Sequence, residues 1–262
     1  MKYLLLVLVV ALAILLEYIF QIFPTEIENS EFKARYGPWC VVAGASEGLG
    51  EQLARQVASK GLNVVLVART ESKLLKVASS IRQDYLVEVQ TVVGDLSKQD
   101  IVETVKKQVE NLEIGSLIYN AAFGGNGLLE TYTDETISQT INVNVNTLTY
   151  MLRDFVKKFK VQRRGGILII SSLAAVSGIP KFSQYAATKS YQTTLVKGVW
   201  EEVRSHNVDV VVTVPGAIST RRPSKYMTPQ QTNRDFKPHL KLPLNLFGSW
   251  EAGRDPSWYR DQ

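Results

Sequence analysis

The sequence predicts a doubly wound α/β domain built on a parallel sheet, preceded by an N-terminal hydrophobic helix. Three observations predict it. From Pro38 onward, short β-branched runs alternate with amphipathic stretches, which is the pattern of βαβ units. A glycine-rich turn follows the first of these runs, and an apolar segment of about 20 residues stands before them all.

The apolar segment runs from Leu4 to Phe23 and is interrupted only by Glu17, Tyr18 and Gln21. Its length suits one helical crossing of a bilayer. A cleavable signal peptide is the rival, because Lys2 gives a minimal positive start and Ala11-Leu12-Ala13 has small residues at cleavage-like spacing. The apolar run continues past that point, which favours an uncleaved anchor over residues 1–23; Glu17 keeps an amphipathic or buried helix open as well. Orientation stays open, with Lys2 at one end and Lys33 and Arg35 beyond the other. Residues 24–37 are expected merely to join the anchor to the first strand.

Strands are expected near 39–43, 63–68, 88–94, 115–119, 166–171 and 208–214, and helices over 48–60, 71–83, 98–111, 134–160 and 185–205. Strands and helices therefore take turns through residues 38–220, the region expected to form the dinucleotide-binding catalytic domain. Residues 221–262 are dotted with proline and show no clear strand. His239 to Phe247 alternates apolar residues, but Pro243 would demote any strand there to an edge.

Composition removes several function classes. The chain has 262 residues, 45% hydrophobic and 21% charged, which describes one globular domain with a full core plus a small extra. Its net charge of +5 is interspersed and does not form the basic stripe of a nucleic-acid binder. The lone cysteine, Cys40, lies between apolar neighbours in the first strand, so a buried thiol is expected and an internal disulfide is excluded. His206 and His239 are the only histidines, which leaves a zinc site or a Ser/His hydrolase almost nothing to work with. No metal is expected.

Three constellations carry chemistry. The first strand, Trp39 to Ala43, runs into Gly44-Ala45-Ser46-Glu47-Gly48-Leu49-Gly50 and then a helix. Such a turn lets backbone approach a pyrophosphate, and the helix N-terminus offers unpaired N–H groups and a positive dipole end. The second strand ends in Ala68-Arg69. A carboxylate there would hold a ribose 2′-hydroxyl, whereas an arginine can pair with the 2′-phosphate of NADP. NADPH is the cofactor expected, although Glu47 in the glycine turn is an unhelpful neighbour for a phosphate. Farther along, Gly165-Gly166 lead into Ile167 to Ile170 and then Ser171-Ser172, which puts Ser172 at a strand's C-terminal end. Tyr185 and Lys189 follow at i and i+4, on one face of a helix. A nearby ammonium together with an oxidised nicotinamide would lower the phenol's pKa from its usual value of about 10. Tyr-x-x-x-Lys on its own also describes an ordinary helix surface.

Taken together and in order, these residues resemble the short-chain dehydrogenase/reductase family, from about Tyr36 to Thr220. The resemblance also rests on Asp95-Leu96, Asn120-Ala121-Ala122, Asn144 within Asn142-Val143-Asn144-Val145, and Pro215-Gly216 followed by Thr220. It implies a Rossmann fold, with Gly44, Ser46, Gly48, Leu49 and Gly50 around the pyrophosphate, Arg69 at the ribose, and Asp95 and Leu96 bordering the adenine. It further implies that Asn120, Ala121 and Ala122 line the cleft and that Pro215, Gly216 and Thr220 border the nicotinamide. Asn144, Ser172, Tyr185 and Lys189 would form the catalytic tetrad. Tyr185 would deliver the proton, Ser172 would bond the carbonyl oxygen, Lys189 would hold ribose, and Asn144 would position a water.

Within the family, Tyr36-Gly37-Pro38-Trp39, Ala68-Arg69 and Leu112-Glu113-Ile114-Gly115 are most similar to the membrane-bound 17β-hydroxysteroid dehydrogenase and long-chain 3-ketoacyl-CoA reductase branch. Ala43 stands where the family has threonine, and Tyr119-Asn120-Ala121-Ala122 where it has Asn-Asn-Ala-Gly. The expected function is NADPH-dependent reduction of a hydrophobic, lipid- or steroid-like carbonyl at a membrane, that of the endoplasmic reticulum if the source is eukaryotic. A homodimer is among the assemblies left open. The alternative is a catalytically idle nucleotide-binding subunit with a structural role.

Overall fold

The computed structural model describes residues 29–216. The anchor expected over 1–23, the segment 221–262 and Thr220 lie outside the described residues. Among the described residues, no helix is long and apolar enough to cross a membrane.

Six strands form one sheet: β1 (Trp39–Ala43), β2 (Asn63–Ala68), β3 (Val89–Val93), β4 (Ile114–Tyr119), β5 (Gly165–Ile170) and β6 (Val208–Thr213). Their order is β3-β2-β1-β4-β5-β6 and every pairing is parallel. All residues of β1, β4 and β5 are buried. A parallel sheet is covered on both faces, so its central strands read as continuous apolar runs rather than alternating ones. The order reverses at the β1/β4 junction, and the C-terminal ends of these two strands open the crevice in which such sheets bind ligands.

Helix α1 (Asn29–Tyr36) packs on β4 and β5, α2 (Gly48–Ser59) on β1 and β2, and α3 (Glu71–Asp84) on β2 and β3. Helix α4 (Ile101–Gln108) packs on β3. Past β4 come α5 (Asp134–Ile141), a π-helical turn (Asn142–Thr147), α6 (Leu148–Gln162) on β4 and β5, and α7 (Ser183–Val203) on β6. Trp39, Val41 and Ala43 join one core cluster with Met151, Leu152, Phe155 and Phe159 of α6. The alternate residues Cys40 and Val42 are equally buried and point to the sheet's other face. Burial pushes the Cys40 thiol up to about 12, as suits a structural cysteine.

Two expectations need correction. Residues 24–37 are not merely a joining segment, because Asn29–Tyr36 is a helix that buries Phe32 and Tyr36. The Tyr36 hydroxyl donates to Asp209 Oδ2 at 2.7 Å, Arg35 pairs with the same carboxylate, and Ser116 Oγ donates to the Tyr36 carbonyl at 2.9 Å. Eight residues are too few to be stable alone. Side chains from β4 and β6 hold this helix, and local sequence does not show them. The second correction concerns 134–160, which is not one continuous helix. The turn Asn142–Thr147 widens to π geometry, and it carries Asn144. Single π turns concentrate at functional sites.

Candidate active site

The site begins at the turn after β1. Helix α2 starts at Gly48, so its unpaired N–H groups face the crevice. Gly50 makes the close approach possible: a Cβ there would fall on the Gly44 carbonyl oxygen and lie 2.6 Å from Asn120 Nδ2. Asn120 Nδ2 donates to that same carbonyl at 3.0 Å, which ties β4 to the turn. A cleft of about 460 Å³ results. It is lined by Gly44, Ser46, Gly48 and Leu49 of the turn, Arg69 beyond β2, Asp95 and Leu96 beyond β3, and Asn120, Ala121 and Ala122 beyond β4. Ten of the predicted cofactor residues thus meet in one place, with Gly50 behind the wall, whereas Tyr185, Lys189, Pro215 and Gly216 do not line this cleft. The N–H-rich turn, the glycine cradle and the arginine suit an anionic dinucleotide.

Glu47 is less of an obstacle than its charge suggests, since its carboxylate pairs with Lys73 Nζ at 2.8 Å. The pair is partly exposed and contributes little stability, but it offsets the negative charge beside Arg69.

The catalytic candidates stand at the C-terminal end of β5 and in the first turn of α7. Ser172 follows Ser171 directly after β5, and its Oγ accepts from the Ala174 N–H at 3.2 Å, which leaves its own hydrogen free to donate. Ser172 stands near enough to the Tyr185 phenol to favour its ionised form. One face of the Tyr185 ring lies against Gly124, where a Cβ would come within 2.8 Å of Cδ2. Lys189 is buried with Nζ 5.6 Å from the centre of that ring. It donates to the Ile170 carbonyl at 2.7 Å and to Gln192 Oε1 at 3.0 Å. Pro215 is close by, because its carbonyl accepts from Leu173 N at 2.9 Å, and Gly216 approaches the Leu173 side chain.

Within the protein itself, desolvation dominates the electrostatics of Tyr185 and Lys189. Burial raises the Tyr185 pKa, and Ser172 offsets this only in part. Lys189 makes no lowering contribution in the chain alone, since desolvation brings its own pKa down to about 7. Both groups pay for leaving water.

Asn144 is wholly buried, and its side chain is committed to protein partners. Its Nδ2 donates to the Phe123 carbonyl at 2.7 Å and to Thr188 Oγ1 at 2.9 Å, while Oδ1 accepts from Phe123 N at 2.9 Å. Thr188 Oγ1 in turn donates to the Tyr185 carbonyl at 2.8 Å. Asn144 therefore ties the loop after β4 to the helix that carries Tyr185. The Tyr119 hydroxyl donates to the Val143 carbonyl at 2.6 Å, holding the same π turn from the sheet. This is what the departure from Asn-Asn-Ala-Gly does here.

Residues 38–231 match the short chain dehydrogenase family. This chain belongs to that family. It is accordingly an oxidoreductase. The 7beta-hydroxysteroid dehydrogenase of Clostridium sardiniense is 31% identical to this short-chain dehydrogenase over 189 residues, 72% of each chain. Human 17-beta-hydroxysteroid dehydrogenase type 3 is 31% identical over 216 residues, 82% of this chain and 69% of that one. Among solved structures, a short-chain dehydrogenase from Sphingobium yanoikuyae in complex with NADPH superposes with a TM-score of 0.68 at 29% identity, covering 71% of this chain and 73% of the other.

Gly124, Thr188 and Gln192 were not anticipated from sequence. Gly124 and Thr188 carry no motif that marks them. Gln192 does leave a trace, because Tyr185, Lys189 and Gln192 at i, i+4 and i+7 form one helical stripe.

Proposed function

We propose that this short-chain dehydrogenase is an NADPH-dependent carbonyl reductase, reversible as an alcohol dehydrogenase, for a hydrophobic lipid- or steroid-like substrate, held at a membrane by residues 1–23. The observation that carries the chemistry is the grouping of Tyr185, Ser172 and buried Lys189 next to the dinucleotide cleft, which Tyr185 reaches through its contact with Gly124 of the cleft lining. A bound nicotinamide supplies the hydride. The Ser172 hydroxyl donates to the substrate carbonyl oxygen and fixes it near the phenol; Tyr185 then transfers its proton to that oxygen as the carbon is reduced, giving the alcohol. Lys189 has three N–H donors, two of them used within the protein, and the third is available to a ribose hydroxyl. Asn144 positions the elements that carry Tyr185.

Support for an apolar substrate comes from the loops at the C-terminal edge of the sheet. Leu128 and Leu129 after β4, Leu173 and Val176 after β5, and Val214 after β6 are all exposed. Exposed apolar groups gathered on the loops around a site suit a hydrophobic ligand. The steroid dehydrogenases among the relatives agree with this reading. The NADPH preference rests on Arg69, on Ala68 in place of a carboxylate, and on the Glu47–Lys73 pair.

The test is loss of reduced nicotinamide absorbance with a panel of steroid, fatty-acyl and small ketones. Turnover with NADPH well above that with NADH is expected, and Ala68→Asp combined with Arg69→Ala should remove or invert the preference. An unchanged preference would sink the assignment of this junction. Cofactor that binds without turnover of any carbonyl would favour the idle-subunit alternative. For the anchor, the full-length protein is expected to stay in the pellet on alkaline carbonate extraction. Its release into the supernatant would remove the membrane assignment, and a shortened N-terminus would point to a signal peptide.

A further inference from the structure

Gln192 has no exposed surface and stands one turn beyond Lys189 on α7. Its amide bonds two groups of the site. Oε1 accepts from Lys189 Nζ at 3.0 Å, and Nε2 donates to the main-chain carbonyl of Asn144 at 2.9 Å. The amide can stand only this way round, because a carbonyl offers only lone pairs and an ammonium only donors. Lys189 thus has two fixed acceptors, Gln192 Oε1 and the Ile170 carbonyl at 2.7 Å. These hold the long, flexible side chain in one geometry.

We propose that Gln192 is a positioning residue for the reduction: its amide clamps Lys189 to the π-helical turn at Asn144 and helps the buried ammonium keep its proton. The proposal rests on the function given above, in which the Lys189 ammonium offers its third N–H to a ribose hydroxyl beside Tyr185. The surroundings explain why a neutral amide matters. Burial alone brings Lys189 down to about 7. Across from it, β5 presents the carbonyl of Ile170 and the hydroxyl of Ser171, the π turn presents Asn144, and the turn Leu173–Ala175 is apolar. In β6 the ionisable side chain is Asp209, which is engaged by Arg35 and Tyr36. Asp134 and Glu135 of α5 are exposed in its first turn. The titratable group beside Lys189 is Tyr185 on the same helix. Among the described residues no carboxylate contacts Lys189, so the oxygen of Gln192 is the side-chain acceptor that favours the ammonium.

The test measures Lys189 directly in the full-length protein. Lysines are labelled with 13C at Cε and followed by NMR against pH, and the Lys189 signal is the one lost in Lys189→Met. In the parent it should titrate near 7, well below the ordinary lysine value of about 10.4. Gln192→Glu keeps the shape and puts a carboxylate beside Nζ, so the midpoint should rise by about one unit or more. Gln192→Met keeps the length and removes the acceptor, so the midpoint should fall, and kcat should fall more than KM rises. A midpoint that stays put in both variants overturns the proposal, even if their thermal midpoints drop, because packing alone would do that. If Gln192→Met does not fold, the shift in Gln192→Glu decides. Shifted midpoints in a protein that reduces no carbonyl would remove the proposed function and leave the clamp standing.

Discussion

Tyr185→Phe is expected to lower kcat for carbonyl reduction by about 10²–10⁴-fold, the usual range for a positioned general acid. The substitution keeps the ring that packs on Gly124 and removes only the hydroxyl near Ser172. Cofactor affinity, read by quenching of intrinsic fluorescence, should therefore stay close to that of the parent. Turnover retained at the parent level would falsify the mechanism. The pH profile carries the sign. Only the neutral phenol donates, and burial raises its pKa, so the loss of reduction that is due to the phenol should come only as pH rises past the ordinary tyrosine value of about 10, well separated from any step set by Lys189 near 7. Oxidation of the alcohol needs the phenolate as base, so its rate should climb over that same alkaline interval.

The second large effect concerns the cradle. Gly50→Ala places a methyl group on the Gly44 carbonyl oxygen, with Asn120 Nδ2 2.6 Å away. That side chain is itself pinned to the same carbonyl, so no flexible atom can yield. The turn must open, at a cost of about 1–3 kcal/mol for an overpacked site. Expressed in cofactor affinity, this corresponds to a loss of about 5- to 150-fold. Gly198→Ala is the matched control, because a Cβ at that position in α7 meets nothing within 4 Å. It should instead stabilise the protein by roughly 0.5–1 kcal/mol through helix propensity. NADPH titration and thermal midpoints of the two variants check both halves. Equal cofactor affinity in Gly50→Ala and the parent would show that this turn does not face the cofactor.

Much of the fold is legible because its signals are local. Each strand of a buried parallel sheet is a short β-branched run, so Val64 to Val67 and Ile167 to Ile170 announce themselves without reference to partners. Helix α2 is marked by the glycine turn that starts it, and α7 by the Tyr185/Lys189 spacing. Helix α1 is less visible: its eight residues carry little periodicity, and contacts to Asp209 and Ser116, far away in sequence, hold it. The π turn is equally silent, because the residues around Asn144 suit an ordinary helix just as well.

The site divides along the same line. By itself the sequence determined the order of strands and helices, the glycine turn and the identity of the groups proposed to handle hydride and proton, since these depend on residue type at short spacing. Only the tertiary structure decided their electrostatic state. Within the protein the Tyr185 phenol is raised and Lys189 is brought down to about 7, because both depend on how much water the fold removes. It also decided the partners. Lys73 joins Glu47, and Thr188 and Phe123 occupy Asn144, through pairings that span from 21 to 44 residues. Hydrogen bonds of that reach form only when the chain has closed around them, so residue spacing alone does not reveal them.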